Sequence, residues 1–405
     1  MAILDFDRSG ENVWRPRAAA IIPGGASTGS KRPDALFGDR VGELPTHFLR
    51  ASGCRIETAE GRELIDCTMA LGAVAIGYAD EVVTQAVLEA AGNGNVSGLS
   101  PALEIEVAER LAELVPCAEQ VRFLKTGAEG VAAAVRIARA HTNRAVVIAC
   151  GYFGWLDWSS DASGVPESVR ADIVRVPFDD TDALETAAKQ VGDRLAAIVL
   201  EPVIERLPSV EWIAEARRAC DESGAVLIFD EMKTGFRLKT GGYQEFAEVT
   251  PDLAVFGKAL ANGYPLSAVV GRESVMRAAS DTWISSTLAS ETTALAAARA
   301  VIEWHARAEV CESLGEIGAE MRAAVDRAIV ASRIEGVRTD GLDQMWMIRF
   351  ETPAQESRFL ELAVEGGVLF KRGAYDYPSL AHDEDAIAEI ESAASSALVR
   401  LRDEE

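Results

Sequence analysis

The chain has 405 residues, nearly half of them apolar and about a quarter charged, with a formal net charge of −24. A length of this order exceeds what one core usually serves, so one large and one smaller unit are expected. No apolar run is long enough to span a bilayer, and without a local basic patch the acidity disfavours nucleic acid and anionic lipid surfaces.

The six cysteines, Cys54, Cys67, Cys117, Cys150, Cys220 and Cys311, are scattered, with no CxxC pair and no histidine at metal-ligand spacing. They read as buried reduced thiols, and no metal site is expected. The opening residues lack a basic segment followed by an apolar one, so the expected compartment is the cytoplasm.

Up to about residue 45 the chain is rich in Gly, Pro and Arg and reads as a loop-rich lead-in. THFLRASGCRIETAEGRELIDCT then alternates and turns at AEG, which predicts a hairpin with strands near 47–58 and 62–66. From about 81 to 300, helical patterns alternate with short β-branched runs: VRFLK, RAVVIAC, DIVRVP, AAIVLEP, AVLIFDE and LAVFGK. Buried runs separated by helices predict βαβ units and a mainly parallel sheet flanked by helices. After 290 an apolar-periodic stretch is too long for one uninterrupted globular helix, and Gly315 and Gly318 are candidate breaks. MWMIRFE and GVLFKRG read as strands, and a closing amphipathic helix completes a smaller α+β cap. The expected division is a lead-in and hairpin over 1–66 belonging to the small domain, a large domain over 67–295, and the rest of the small domain over 296–405.

Ligands of an open α/β sheet gather at the carboxyl ends of its strands. The polar residues there are Lys125 to Glu129 after VRFL, Gly151 to Gly154 after AVVIAC, Glu201 after AAIVL, Asp230 after AVLIF, and Lys258 after LAVFG. TGAEG is either a plain strand-to-helix turn or a phosphate cradle, since a glycine-bearing turn into a helix leaves amides pointing outward. Asp230 and Lys258 are either a salt bridge at the sheet edge or ligand groups. Taken as a set, a phosphate turn, an aromatic to stack, an acid for a ring nitrogen and an amine for a carbonyl are what pyridoxal 5′-phosphate requires. Only a primary amine makes an exchangeable Schiff base, and partial desolvation lets it act as nucleophile and base.

GYFGW, IVLEPV, LIFDEMKTGFR, FGKALANGYPLSAVVG and SSTLASETTALAAA, in that order and spacing, resemble the class III (ω-type) aminotransferases, above all the glutamate-1-semialdehyde 2,1-aminomutase subgroup. IIPGG near the start and YPSLAHDEDAI near the end extend the resemblance over nearly the whole chain. The resemblance implies the fold type I architecture of PLP-dependent transferases, with a large domain and a smaller α+β domain. It implies that Lys258 forms the Schiff base and shuttles the proton, that Asp230 pairs with the pyridinium nitrogen, and that Tyr152 and Met232 cover the two ring faces. Thr126, Gly127 and Ala128 would hold the phosphate, helped by Thr287 of a second subunit, so a homodimer with shared active sites follows. Glu201 would lie near the ring hydroxyl.

This chain departs from the family where substrate is recognised. STGSKRPDALF stands where the aminomutase has its carboxylate-binding segment, leaving Lys31 or Arg32 for that purpose, and Lys371-Arg372 replace more neutral residues. Trp155 follows the Tyr152 motif and is a candidate pocket wall, with Arg372 a candidate anion ligand. The expected activity is therefore transfer of an amino group from an amino-acid donor to an oxo or aldehyde acceptor, in particular a specialised biosynthetic intermediate. The alternative is a 2,1-aminomutase-like isomerase, which would use the same cofactor residues.

Overall fold

Strand and helix periodicities translate into two units in a computed structural model that describes residues 13–247 and 249–404. One unit comprises Met1–Asp80 with Ser313–Glu405, the other Glu81–Glu312. Both breaks fall further along the chain than the sequence pattern places them.

In the first unit the lead-in holds more structure than its glycines and prolines suggest. Trp14–Ile21 is helical, and Pro33–Phe37 forms a short helix with Pro33 at its first position, where a missing N–H costs nothing. Residues 1–12 of the lead-in lie outside the described residues. Three antiparallel strands follow: β1 (Phe48–Ser52), β2 (Arg55–Thr58) and β3 (Glu63–Asp66). The single strand expected over 47–58 is thus split, because the chain turns at Gly53, whose φ of +59° suits glycine.

The second unit is built on seven strands: β4 (Gln120–Leu124), β5 (Val146–Cys150), β6 (Ile173–Arg175), β7 (Leu195–Leu200), β8 (Val226–Asp230), β9 (Leu253–Phe256) and β10 (Ser267–Gly271). Their order is β4-β10-β9-β8-β7-β5-β6. The neighbours from β9 to β6 pair in parallel, and β10 runs antiparallel to both β9 and β4. The mainly parallel sheet matches expectation; β10, formed by SAVVG shortly after Lys258, is additional to the strands the sequence pattern predicts. Alternate residues such as Ala197, Val199, Ile228 and Val255 pack with Val131, Ala134 and Ile137 of the helix Gly127–Thr142. Their neighbours Ile198, Leu227 and Phe229 are equally buried, so both faces are covered, as unbroken apolar runs require.

Back in the first unit come β11 (Arg338–Leu342) and β12 (Met345–Arg349), a hairpin, and β13 (Val368–Leu369), which pairs with β3 in parallel. The long helical stretch breaks at Ala308, between helices Thr292–Arg307 and Val310–Ser332. Gly315 and Gly318 lie inside the second helix instead. Gly318 serves close packing, since a Cβ there would meet the Asp343 carbonyl oxygen at 1.8 Å. Helix Glu384–Glu404 closes the chain.

Candidate active site

Lys258 owes its position to β9 and to the turn behind it. Asp230, the last residue of β8, stands in register beside Val255 of β9. Lys258 follows β9 after Gly257, where a Cβ would sit 2.5 Å from the Met232 Cε. The lysine has a φ of +49°, a left-handed conformation that a non-glycine residue adopts only when its surroundings hold it there. Here the hold comes from Ala259, Leu260 and Ala261, all buried in the same short turn. Strain of this kind is concentrated at functional sites.

The turn after β4 is organised by a capping box. The Thr126 hydroxyl accepts the Glu129 N–H at 3.2 Å, and the Glu129 carboxylate accepts the Thr126 N–H at 2.9 Å. That satisfies the third amide of the helix Gly127–Thr142 and leaves the Gly127 and Ala128 N–H groups, which donate to no described residue. The Ser267 hydroxyl, on β10, donates to the Thr126 carbonyl at 2.8 Å and ties the turn to the strand that follows Lys258. A Cβ at Gly127 would lie 2.7 Å from Met232 Cε, so Met232 packs between this turn and Gly257.

Beyond β5, Gly151 has a φ of +131°, and a Cβ there would lie 2.4 Å from that of Glu201. The Tyr152 N–H donates to Glu201 Oε2 at 3.2 Å. Gly154 passes against the start of the helix, its added Cβ 2.4 Å from that of Ala128. Tyr152 and Trp155 are about three-quarters exposed, at 75% and 74%, whereas Phe153 is buried and stacks on Trp158. Thr126, Gly127, Ala128, Tyr152, Glu201, Asp230, Met232 and Lys258 are therefore linked through neighbouring contacts along one edge of the sheet.

Two cations at this edge were not singled out in the sequence. Lys233 Nζ lies 2.7 Å from Glu201 Oε1, with both side chains largely buried, and Arg237 is fully buried. Both belong to the quoted FDEMKTGFR, but a lysine inside a turn has no periodicity to mark it. Burial raises the Asp230 pKa, and the Glu201 charge raises it further, while the Met232 N–H, Lys258 and Lys233 oppose the rise. Burial lowers the Lys258 pKa, Lys233 adds to the lowering, and Glu201 and Asp230 oppose it. The edge thus holds an amine primed to lose its proton beside a carboxylate whose Oδ1 accepts the Met232 N–H at 3.0 Å. Asp230 Oδ2 has no hydrogen-bond donor among the described residues.

Thr287 lies elsewhere in the same unit. It lines a cavity of about 640 Å³ with Ser97, Leu99, Ser286 and Arg299. Lys31, Arg32 and Arg372 belong to the first unit. Lys31 and Lys371 line a cavity of about 180 Å³ with apolar walls there, and Arg372 pairs with Glu356 at 3.9 Å. All six cysteines are free and buried. Among the described residues no helix is long and apolar enough to cross a membrane.

Residues 37–390 match the sequence family described as Aminotransferase class-III. The chain is 31% identical to the 3-aminobutyryl-CoA aminotransferase of Cloacimonas acidaminovorans (strain Evry), over 82% of this chain and 80% of that protein. It is 32% identical to the glutamate-1-semialdehyde 2,1-aminomutase of Sorangium cellulosum (strain So ce56), over 94% of each. Its backbone resembles that of the FumI protein of Sphingopyxis sp. MTA144, solved in a PLP internal aldimine form, with a TM-score of 0.91, 27% identity and 96% of both chains covered.

Proposed function

The chain belongs to the class-III aminotransferases, PLP-dependent enzymes of this fold, and we propose that Lys258 is the residue that covalently holds its cofactor while an amino group moves from an amino-acid donor to an oxo or aldehyde acceptor. The observation that carries this assignment is the strained, partly desolvated amine of Lys258 beside the buried Asp230. The residues suit pyridoxal 5′-phosphate on two further counts. Gly127 and Ala128 offer two uncommitted amides at the positive end of a helix, a match for its phosphate. Asp230 is largely buried and its Oδ1 accepts the Met232 N–H, while Oδ2 accepts from no described residue and matches a protonated ring nitrogen. When bound, the cofactor supplies an electron sink for the carbon that carries nitrogen.

In this reading Lys258 Nζ takes the proton from that carbon of the donor and returns one to the acceptor. Asp230 keeps the ring nitrogen protonated by remaining ionised beside it. Tyr152 and Met232 bound the ring, the Thr126 turn fixes the phosphate, and Glu201 stands at the hydroxyl side. Lys31, Arg32, Trp155 and Arg372 are assigned to substrate, the cations to its carboxylate or another anion. The rebuilt segment 26–37 supports a specialised biosynthetic acceptor over glutamate semialdehyde.

Thr287 is assigned to the phosphate of a second copy, in a homodimer with shared active sites. In support, Leu99 and Trp283, both 84% exposed, are large apolar side chains of the kind a partner subunit covers. Six free buried thiols favour a reducing compartment, in keeping with a cytoplasmic enzyme.

The test is the donor half-reaction: the yellow holoprotein is mixed with a panel of amino acids, desalted, and assayed for 2-oxo acid and cofactor form. One oxo acid per site, with the cofactor left as the amine, is expected. Absence of release from every donor, with interconversion of a bound amino aldehyde, would assign the chain to the aminomutase alternative that its relatives represent.

A further inference from the structure

A buried ion pair is a costly feature, because taking both charges out of water cancels most of their attraction, and an apolar pair of like size is often as stable. The pair between Lys233 and Glu201 therefore calls for a reason beyond folding. Its Nζ–Oε1 distance is 2.7 Å, with the side chains 10% and 12% exposed. Glu201 is doubly committed, since its other oxygen accepts the Tyr152 N–H. The pair sits at the ends of the adjacent parallel strands β7 and β8, and Lys233 is three residues from Asp230.

The charges that act on Lys258 include two cations, Lys233 and Arg237, which lower its pKa, and two anions, Glu201 and Asp230, which raise it. With all four present the amine sees a balanced set. Without Lys233 it would face two carboxylates against one guanidinium, which favours the protonated amine.

We propose that Lys233 is a positioning residue for the transfer reaction: held by Glu201, it cancels that carboxylate's field at Lys258 and so eases loss of the amine's proton. The inference rests on Lys258 being the cofactor lysine. It explains why an ammonium occupies a buried turn where an apolar side chain would be easier to accommodate. The electrostatics agree in sign, since Lys233 lowers the proton affinity of both Lys258 and Asp230, and Glu201 raises both.

The experiment follows the rate at which cofactor-free protein captures pyridoxal 5′-phosphate, by absorbance, across about pH 6 to 10, the range in which a lowered lysine titrates. The midpoint of that profile reports proton loss from Lys258. In Lys233→Met the midpoint is expected to rise by about one pH unit, slowing capture roughly tenfold at a fixed pH below it, and Lys233→Arg is expected to stay near wild type. Glu201→Gln is expected to move it the other way, downward. A midpoint unchanged in Lys233→Met, even with a lower melting temperature or a uniformly slower rate, would overturn the proposal. Should Lys233→Met fail to fold, Glu201→Gln decides alone: a fall supports the proposal, and an unchanged or raised midpoint overturns it. Borohydride trapping on Lys258→Ala separates the two levels of inference. Aldehyde still fixed at the site in that variant would contradict the assignment of Lys258, whereas trapping confined to Lys258 with unmoved midpoints would contradict only the role of Lys233.

Discussion

Gly130 lies so close to Val255 that a Cβ added to it would come within 2.6 Å of Val255 Cγ1. The first turn of the helix Gly127–Thr142 is thereby pressed onto β9, the strand that leads to Lys258. This contact fixes how closely the Thr126 turn lies to the strand that leads to Lys258. Gly130→Ala is expected to overpack the contact and to lower stability by about 1–3 kcal/mol, with weaker cofactor binding. Adding Val255→Ala should restore part of both by making room. Urea melts and cofactor titration of the single and double variants check this, and a single variant as stable as wild type would contradict it.

Thr126 tests the capping box. Thr126→Ala removes the acceptor for the Glu129 N–H, and loss of such a cap typically costs about 1 kcal/mol. Cofactor affinity should fall as well, because the freed helix start no longer fixes the Gly127 and Ala128 amides. A denaturation midpoint and an affinity both equal to wild type would show that the turn is held by other means.

Asp230→Asn keeps the size of the side chain and removes its charge. Turnover is expected to fall by about 10²–10³-fold, the scale of losing one preorganised electrostatic partner, while Lys258 still captures the cofactor. Steady-state rates and the visible spectrum of the variant separate the two effects. Full activity would remove Asp230 from the assigned role.

His305 predicts an acid limit to stability. Burial depresses its pKa from 6.5 to about 4, against a weak opposing pull from Glu312. Its ring is edge-on to Phe236 with centroids 5.0 Å apart, and Nδ1 is 3.0 Å from the Thr240 hydroxyl. Between pH 6.5 and 4 the unfolded chain binds a proton that the folded chain refuses. The histidine's contribution to stability is thus complete above 6.5 and is lost as pH falls through that window. Urea melts across this range should show a shallower decline for His305→Gln than for wild type; parallel declines would rule out His305 as the cause.

Much of this site was legible because parallel strands are buried on both faces. Their apolar runs are continuous, so the first polar residue after each run, such as Glu201 or Asp230, marks a strand end and a ligand-facing edge. The glycine-bearing TGAEG turn into a helix was equally visible, whereas its capping box emerges only from the structure. What stayed hidden depends on partners distant in sequence. Lys233 acquires meaning only from Glu201 on the next strand, and Gly318 only from the backbone of Asp343. The helix break at Ala308 has no glycine or proline to signal it, whereas the glycines that seemed to signal one are packing positions. β10 was masked because its run SAVVG is short and lies close behind the turn that holds Lys258, past residues 262–266.

The central claim is that Lys258, and no other amine, bonds to the cofactor. The most direct measurement is borohydride reduction of the holoprotein, followed by digestion and mass spectrometry of the modified peptide. The account predicts one pyridoxyl phosphate group per chain, on the peptide that contains FGKALANGYP, and none on Lys258→Ala. Modification of Lys233 instead, or of no lysine in this unit, would contradict it.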